Sequence, residues 1–147
     1  MLNAKASEQI AVLGVISPAS IAAGTADTAW IDTAKVPCLM AIIKAGVLGA
    51  SATIDAKFRQ AQDSSGTGAK DVSGKAIVQM TKAASDNKQA ILDLNTGDLD
   101  KQNGFTFVQL RITVATAASL ADAVVLGINP RYSPASDSNL TSVAAAV

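Results

Sequence analysis

Residues 104–118, Gly-Phe-Thr-Phe-Val-Gln-Leu-Arg-Ile-Thr-Val-Ala-Thr-Ala-Ala, carry the strictest two-residue period in the chain. Val108, Leu110, Ile112 and Val114 fall on one side, and Phe107, Gln109, Arg111 and Thr113 on the other. Successive side chains of a strand point to opposite faces, so this run reads as a strand with one buried face. A helix would scatter the four aliphatics around its circumference. A single strand buries nothing alone, so the remaining chain must supply both a sheet beside it and a layer against it.

That supply is visible along the chain. Ile10 to Ile16 is apolar and β-branched, a short strand or extended arm stopped by Ser17-Pro18. Residues 21–25 read as a turn, and Thr28 to Asp32 as a short strand whose Trp30 anchors a core edge by its area. Leu39 to Ala45 is apolar on both faces, which fits a strand buried on both sides or covered on its second side by a neighbour. Ala52 to Gln60 alternates again, with Ile54, Ala56 and Phe58 inward and Asp55, Lys57 and Arg59 outward. Residues 74–82 suit a strand or a short helix. Ala90 to Asn95 is a strand with Leu92 and Leu94 on one side, and Ala123 to Ile128 is expected to complete a hairpin with the 104–118 strand across Ser119. The last stretch, 131–147, has little period but spaced apolar residues at Tyr132, Leu140, Val143 and Val147, as in an arm laid over a neighbouring surface.

Short strands with turn signals at these intervals predict an all-β chain, a single antiparallel β-sandwich of jelly-roll type with extended N- and C-terminal arms. The expected divisions are 1–25 as an N-terminal arm or first strand, 26–130 as the sandwich and 131–147 as a C-terminal arm.

The same residues exclude most chemistry. There is no histidine, which removes the commonest general base and metal ligand. Cys38 is the only cysteine, lies among apolar neighbours and is expected to be a small buried residue. The 62–71 loop is rich in Gly, Ser and Asp, but it lacks the Gly-Lys-Ser/Thr of a phosphate loop and the alternating ligands of a calcium loop. Asp98 and Asp100 sit in a polar turn beside Lys101, with no apolar wall to shift their titration. Net charge is zero, which offers no field for nucleic acid, and no apolar run is long enough to span a membrane. Ile10 to Ile16 behind Lys5 imitates the core of a signal peptide, but Glu8 and Pro18 argue against that reading. No enzyme activity, cofactor or metal is expected. Apolar residues are 49% of the chain but aromatics only 3%, so the core should be thin and should gain from burying more surface against a partner.

The chain also resembles the head decoration, or cement, proteins of tailed bacteriophages. The residues that carry the resemblance are Thr28-Ala29-Trp30-Ile31-Asp32, Ala52-Thr53-Ile54-Asp55-Ala56-Lys57, the Asp63-Ser64-Ser65-Gly66 loop leading to Lys70-Asp71-Val72, the stretch Phe105 to Val114, and Asn129-Pro130-Arg131-Tyr132-Ser133-Pro134-Ala135. The resemblance implies a small β-sandwich, made in the host cytoplasm, that docks on the outer surface of the head. Its partners would be the major capsid protein and itself, as a dimer or trimer. It brings no catalytic motif. Candidate interaction residues are Ile10, Val12 and Ile16 in the first apolar run, Phe107 and Arg111 on the polar side of the 104–118 strand, and Tyr132, Leu140 and Val143 near the C-terminus. The alternative is a tail- or fibre-associated sandwich that attaches to host or carbohydrate, for which five aromatic residues are a small stock.

Overall fold

A computed structural model describes residues 5–147; residues 1–4 of the expected N-terminal arm lie outside the described residues. Ten strands follow in order: β1 (Ile10–Ile21), β2 (Gly24–Asp27), β3 (Ile31–Asp32), β4 (Cys38–Ala45), β5 (Thr53–Ala61), β6 (Lys70–Ala76), β7 (Met80–Thr81), β8 (Gln89–Asn95), β9 (Phe107–Ala115) and β10 (Ser119–Ile128). One sheet runs β1-β10-β4-β8 and the other β2-β9-β5-β6, with β3 added on β9 and β7 on β5. The antiparallel pairs are nested: β5 with β6, β4 with β8, β2 with β9 and β1 with β10. A long hairpin of nested pairs rolled onto itself is the jelly roll, and the sandwich is of that kind.

The 104–118 run is β9, in the middle of its sheet between β2 and β5. Val108, Leu110 and Ile112 are fully buried. They share one hydrophobic core with Leu39, Ile43, Leu94 and Val125 of the facing sheet and with Ile54 and Phe58 of β5. The alternation in β5 falls as expected, with Ile54, Ala56 and Phe58 in the core.

Five local expectations are corrected. The 104–118 strand and the strand ending at Ile128 do not form a hairpin; β9 and β10 belong to different sheets. The link between them is a corner, with Thr116 at φ +74° and the backbone of Ala117 and Ala118 packed against Gly49. Pro18 does not end the first strand, because the register shifts between Ile16 and Ala19 and that irregularity takes the proline. Residues 24 and 25 open β2 instead of lying in a turn, and 74–82 divides into the end of β6, the short β7 and the start of a helical turn. Cys38 is half-buried on the outside of β4, its thiol 3.1 Å from Asn95 Oδ1.

A further irregularity decides which residues face outward. In β1, Val12 is opposite Leu126 but Gly14 is opposite Val125, so Leu13 is an extra residue. A bulge of this kind reverses the phase of alternation. Before it, Ala11 is buried and Ile10 and Val12 face out; after it, Gly14 and Ile16 are buried and Val15 faces out. Leu13 turns toward Gly127, where a Cβ would lie 2.4 Å from Leu13 Cδ1 and 2.9 Å from Val36 Cγ1. Only glycine leaves room there for the bulge.

Candidate interaction surface

The two outer faces of the sandwich are chemically opposite. On the β2-β9-β5-β6 sheet the outward residues are mostly polar, and their charges are paired within the chain. Arg111 Nε and Nη2 donate to the two carboxylate oxygens of Asp27 at 2.7 and 2.6 Å. This bidentate pair ties β2 to β9, and Asp27 strengthens the hold of the Arg111 guanidinium on its proton. Lys57 reaches Asp71 at 2.7 Å, with Arg59 3.7 Å from the same carboxylate. Gln109 is buried and donates to the Thr28 carbonyl at 3.0 Å. Phe107 is half-buried beside these groups. The charges of this face are thus paired within the chain, while the buried Gln109 Oε1 has no hydrogen-bond partner among the described residues.

The outer face of the β1-β10-β4-β8 sheet is apolar over β1, β10 and β4 and reaches β8 at Ile91, whose outward neighbours Gln89, Asp93 and Asn95 are polar. Val15, Val124, Ile42 and Ile91 stand directly opposite one another in sequence across the four strands. The next row is Val12, Leu126, Met40 and Asp93, and beyond it come Ile10, Ile128, Cys38 and Asn95. Ile91 is 62% exposed, and Leu120, at the far end of β10, is 48% exposed. Lys44 and Asp122, paired at 2.9 Å, border the patch at that end. Four adjacent strands at a spacing of about 4.8 Å make this a continuous surface and not a scatter of single exposed aliphatics.

The side-chain sizes on β10 are inverted. Its inward residues, Ala121, Ala123, Val125 and Gly127, are small and buried. Its outward residues are Leu120, Asp122, Val124, Leu126 and Ile128, so the leucines and isoleucine of this strand all lie outside. A strand with one face in the core and the other in water normally does the reverse. The double-sided apolar character of Leu39 to Ala45 and Ala123 to Ile128 was the sequence signal for this surface.

The eight candidate interaction residues fall in different places. Ile10 and Val12 are on the β1 side of the apolar face, while Ile16 is 8% exposed and belongs to the core. Val12 and Leu140 are brought together, but within one chain. The Val12 N–H donates to Asn139 Oδ1 at 2.7 Å, and the Leu140 N–H donates to the Val12 carbonyl at 2.9 Å. Residues 135–140 thus lie along the free edge of their own β1, with Ala135 fully buried. Val143 follows by one turn, its N–H donating to the Leu140 carbonyl at 3.0 Å. Tyr132 is 79% exposed and away from this contact, and Phe107 and Arg111 are on the opposite sheet.

Three loop aspartates are held below their ordinary value by hydrogen bonds and lysines. The Thr67 hydroxyl and backbone N–H groups of its own loop keep Asp63 below its ordinary value, which makes that loop an internally bonded turn. Lys75 holds Asp98 down, and Lys70 holds Asp100 down. A general acid needs the opposite shift. Trp30 packs against Gly66, where a Cβ would lie 2.8 Å from its ring nitrogen. Phe105 lies beneath the Lys70 ammonium, 4.2 Å from it.

No protein-family model matches the sequence, and no curated protein sequence matches it. Among solved structures, the chain is similar to the SPBc2 prophage-derived protein YomS at 10% identity, covering 80% of this chain and 93% of that one with a TM-score of 0.44. It is similar to a chain of the cowpea mosaic virus top component, the naturally occurring empty particle, at 11% identity, covering 86% of each with a TM-score of 0.46. It is also similar to the CBM22-2 xylan-binding domain of Paenibacillus barcinonensis Xyn10C at 6% identity, covering 76% of this chain and 88% of that one with a TM-score of 0.40. Superpositions this loose carry no argument about kinship or activity; the fold rests on the strand order itself.

Proposed function

We propose that the chain is a non-catalytic structural protein of a virion, which decorates and stabilises a tailed-phage head by docking on the outer surface of the major capsid protein lattice. The docking surface is the apolar outer face of the β1-β10-β4-β8 sheet. The observation that carries the reading is the inversion on β10, where Leu120, Val124, Leu126 and Ile128 face out and alanines, valine and glycine face in. That arrangement gives up core volume for apolar area on the outside, which lowers free energy only when something covers it. The resemblance noted in the sequence supplies the kind of surface that covers it. Binding to a preformed lattice adds stability by mass action, because only the folded chain fits. The attachment reading through carbohydrate has a single strongly exposed aromatic, Tyr132, to work with among the described residues.

The test is binding to purified particles stripped of this protein. Ile42→Lys and Val124→Lys place a charge at the centre of the apolar face, and Thr113→Lys places one on the opposite face as control. Losing about 2 kcal/mol of aliphatic burial and desolvating an ammonium weakens binding by roughly 10- to 100-fold per copy. Wild-type binding by both outer-face variants would remove the assignment of this face, and absence of the protein from particles would remove the role itself.

A further inference from the structure

We infer that residues 143–147 of one copy add as an edge strand to β8 of a second copy, joining chains head to tail. This inference is independent of the capsid reading. It rests on two complementary features of the chain: an open strand edge and a tail whose residues 144–147 make no hydrogen bond among the described residues.

The β1-β10-β4-β8 sheet has two edges, and the chain treats them differently. The β1 edge is closed at Val12 by Asn139 and Leu140. The β8 edge pairs with β4 and, among the described residues, with no other strand. The Ala45 N–H donates to the Lys88 carbonyl, and the Thr96 N–H donates to the Pro37 carbonyl. With the register between them, these two bonds make Ala90, Leu92 and Leu94 the residues that exchange bonds with β4. The N–H and C=O groups of Gln89, Ile91 and Asp93 therefore point away from the sheet. A groove runs along this edge, walled on its far side by the 76–80 segment. Val78 on one wall is 92% exposed, and Ile91 on the other is 62% exposed. An open edge flanked by two exposed aliphatics is the geometry of strand addition, with main-chain bonds supplying affinity and side chains on both walls supplying choice.

The tail is the matching element. Beyond the turn at 141–142, Val143 to Val147 have no regular structure, and Ala144 to Val147 make no hydrogen bond among the described residues. The segment is Val-Ala-Ala-Ala-Val, uncharged and without proline, and Val147 is fully exposed. Five residues match the span from Gln89 to Asp93. Their alternation sets Val143, Ala145 and Val147 on one side and two alanines on the other, small enough to enter the groove beside Val78.

The tail cannot serve its own β8. Leu140 sits outside β1, so a strand outside β8 lies five strand spacings away, about 24 Å. Residues 141–147 reach about 23 Å at a strand rise of about 3.3 Å per residue, which leaves no length for pairing. A second copy has no such limit. Because the two surfaces differ, the contact is heterologous, and it closes into a ring or continues as a chain according to the rotation between copies.

The test is sedimentation over a wide concentration range. The wild-type chain is expected to associate, and deletion of 143–147 to weaken association at least about tenfold. Ile91→Pro removes an outward N–H from an edge strand, where proline is tolerated, and keeps the tail; Val78→Glu charges the groove wall and serves where the proline variant does not fold. Each variant alone should be monomeric. Mixed with the tail-deleted chain, which keeps an intact groove, either groove variant should form a one-to-one dimer and nothing larger, because each partner retains one half of the contact. A monomeric wild-type chain at every concentration overturns the inference. So does undiminished association of the tail-deleted chain, or the absence of a mixed dimer between folded variants.

Discussion

Gly127→Ala tests the device that builds the apolar face. The glycine is on the inward side of β10, and an added Cβ would stand 2.4 Å from Leu13 Cδ1 and 2.9 Å from Val36 Cγ1. Val36 is fully buried and has little freedom, so Leu13 must yield. Leu13 is the extra residue of the bulge, and moving it disturbs the phase that sends Val15 outward and Ile16 inward. Overpacking of this kind costs about 1–3 kcal/mol, and the loss of unfolded-chain entropy on replacing glycine returns about 0.4–1 kcal/mol. At the middle of these ranges the net is about 1.3 kcal/mol of destabilisation. For a chain of this length that is a fall in Tm of about 2–8 °C. Urea denaturation followed by tryptophan fluorescence should show a lower midpoint with an unchanged slope. The decisive measurement is the double variant. Leu13→Ala alone also destabilises, since Leu13 packs against the core. Together the two changes should cost about 1 kcal/mol less than their sum, because truncating Leu13 removes the clash and the added methyl fills part of the space left behind. A Gly127→Ala chain as stable as wild type, or costs that simply add, would refute the argument that this glycine makes room for the bulge.

Two further outcomes follow from the charges. Asp63, Asp86, Asp98 and Asp100 are all held below their ordinary value, by the Thr67 hydroxyl, Lys82, Lys75 and Lys70 respectively. A carboxylate depressed in the folded state contributes stability that is present above its unfolded value of about 3.9 and lost as pH falls through the folded value. With no histidine in the chain, Tm should be flat from about pH 5 to 7 and fall below about pH 4, read by thermal melts across that range. Arg111→Ala breaks the bidentate bond to Asp27, whose partners are each 27% exposed, and should cost about 1 kcal/mol in melts while leaving particle binding within about twofold, since its sheet carries the paired face.

The strands that alternate cleanly were legible from residue order. β9, β5 and β8 each keep a strict period of two, and Val108, Leu110, Ile112, Ile54, Phe58, Leu92 and Leu94 are inward as that period demands. The jelly-roll layout was legible as a class, from the number and spacing of short strands. What escaped was every feature that depends on a partner strand. Ile16 shares parity with Ile10 and Val12, and only the extra residue at Leu13, set by Gly127 more than a hundred residues later, reverses it. Pro18 reads as a stop until the register shift beside it is known. The strands β9 and β10 look like a hairpin in sequence because their link is short, and the corner at Thr116 that sends them to different sheets has no strong local code. The outward side of β9 looked like a contact surface because Arg111 and Phe107 stood out there. The carboxylate that occupies Arg111 lies 84 residues away.

The placement of small and large residues connects these points. Inward positions hold Ala11, Ala41, Ala45, Ala52, Ala56, Ala121 and Ala123, and these let the two sheets approach with few aromatics between them. A domain that thin gains less from its own core than its apolar fraction suggests, because much of that fraction is outside. On β10 and β4 the outward residues Val124, Leu126, Ile128, Met40 and Ile42 form one surface with Val12, Val15 and Ile91. On the other sheet the outward charges of Arg111, Lys57 and Arg59 meet their partners inside the chain. Burial of aliphatic area at about 25 cal/mol per Å² makes the first surface the place where association adds the stability that the alanine-lined interior forgoes. The asymmetry therefore gives an ordering: charge placed on the apolar sheet should weaken assembly more than it weakens the free fold, and charge pairs broken on the polar sheet should do the reverse.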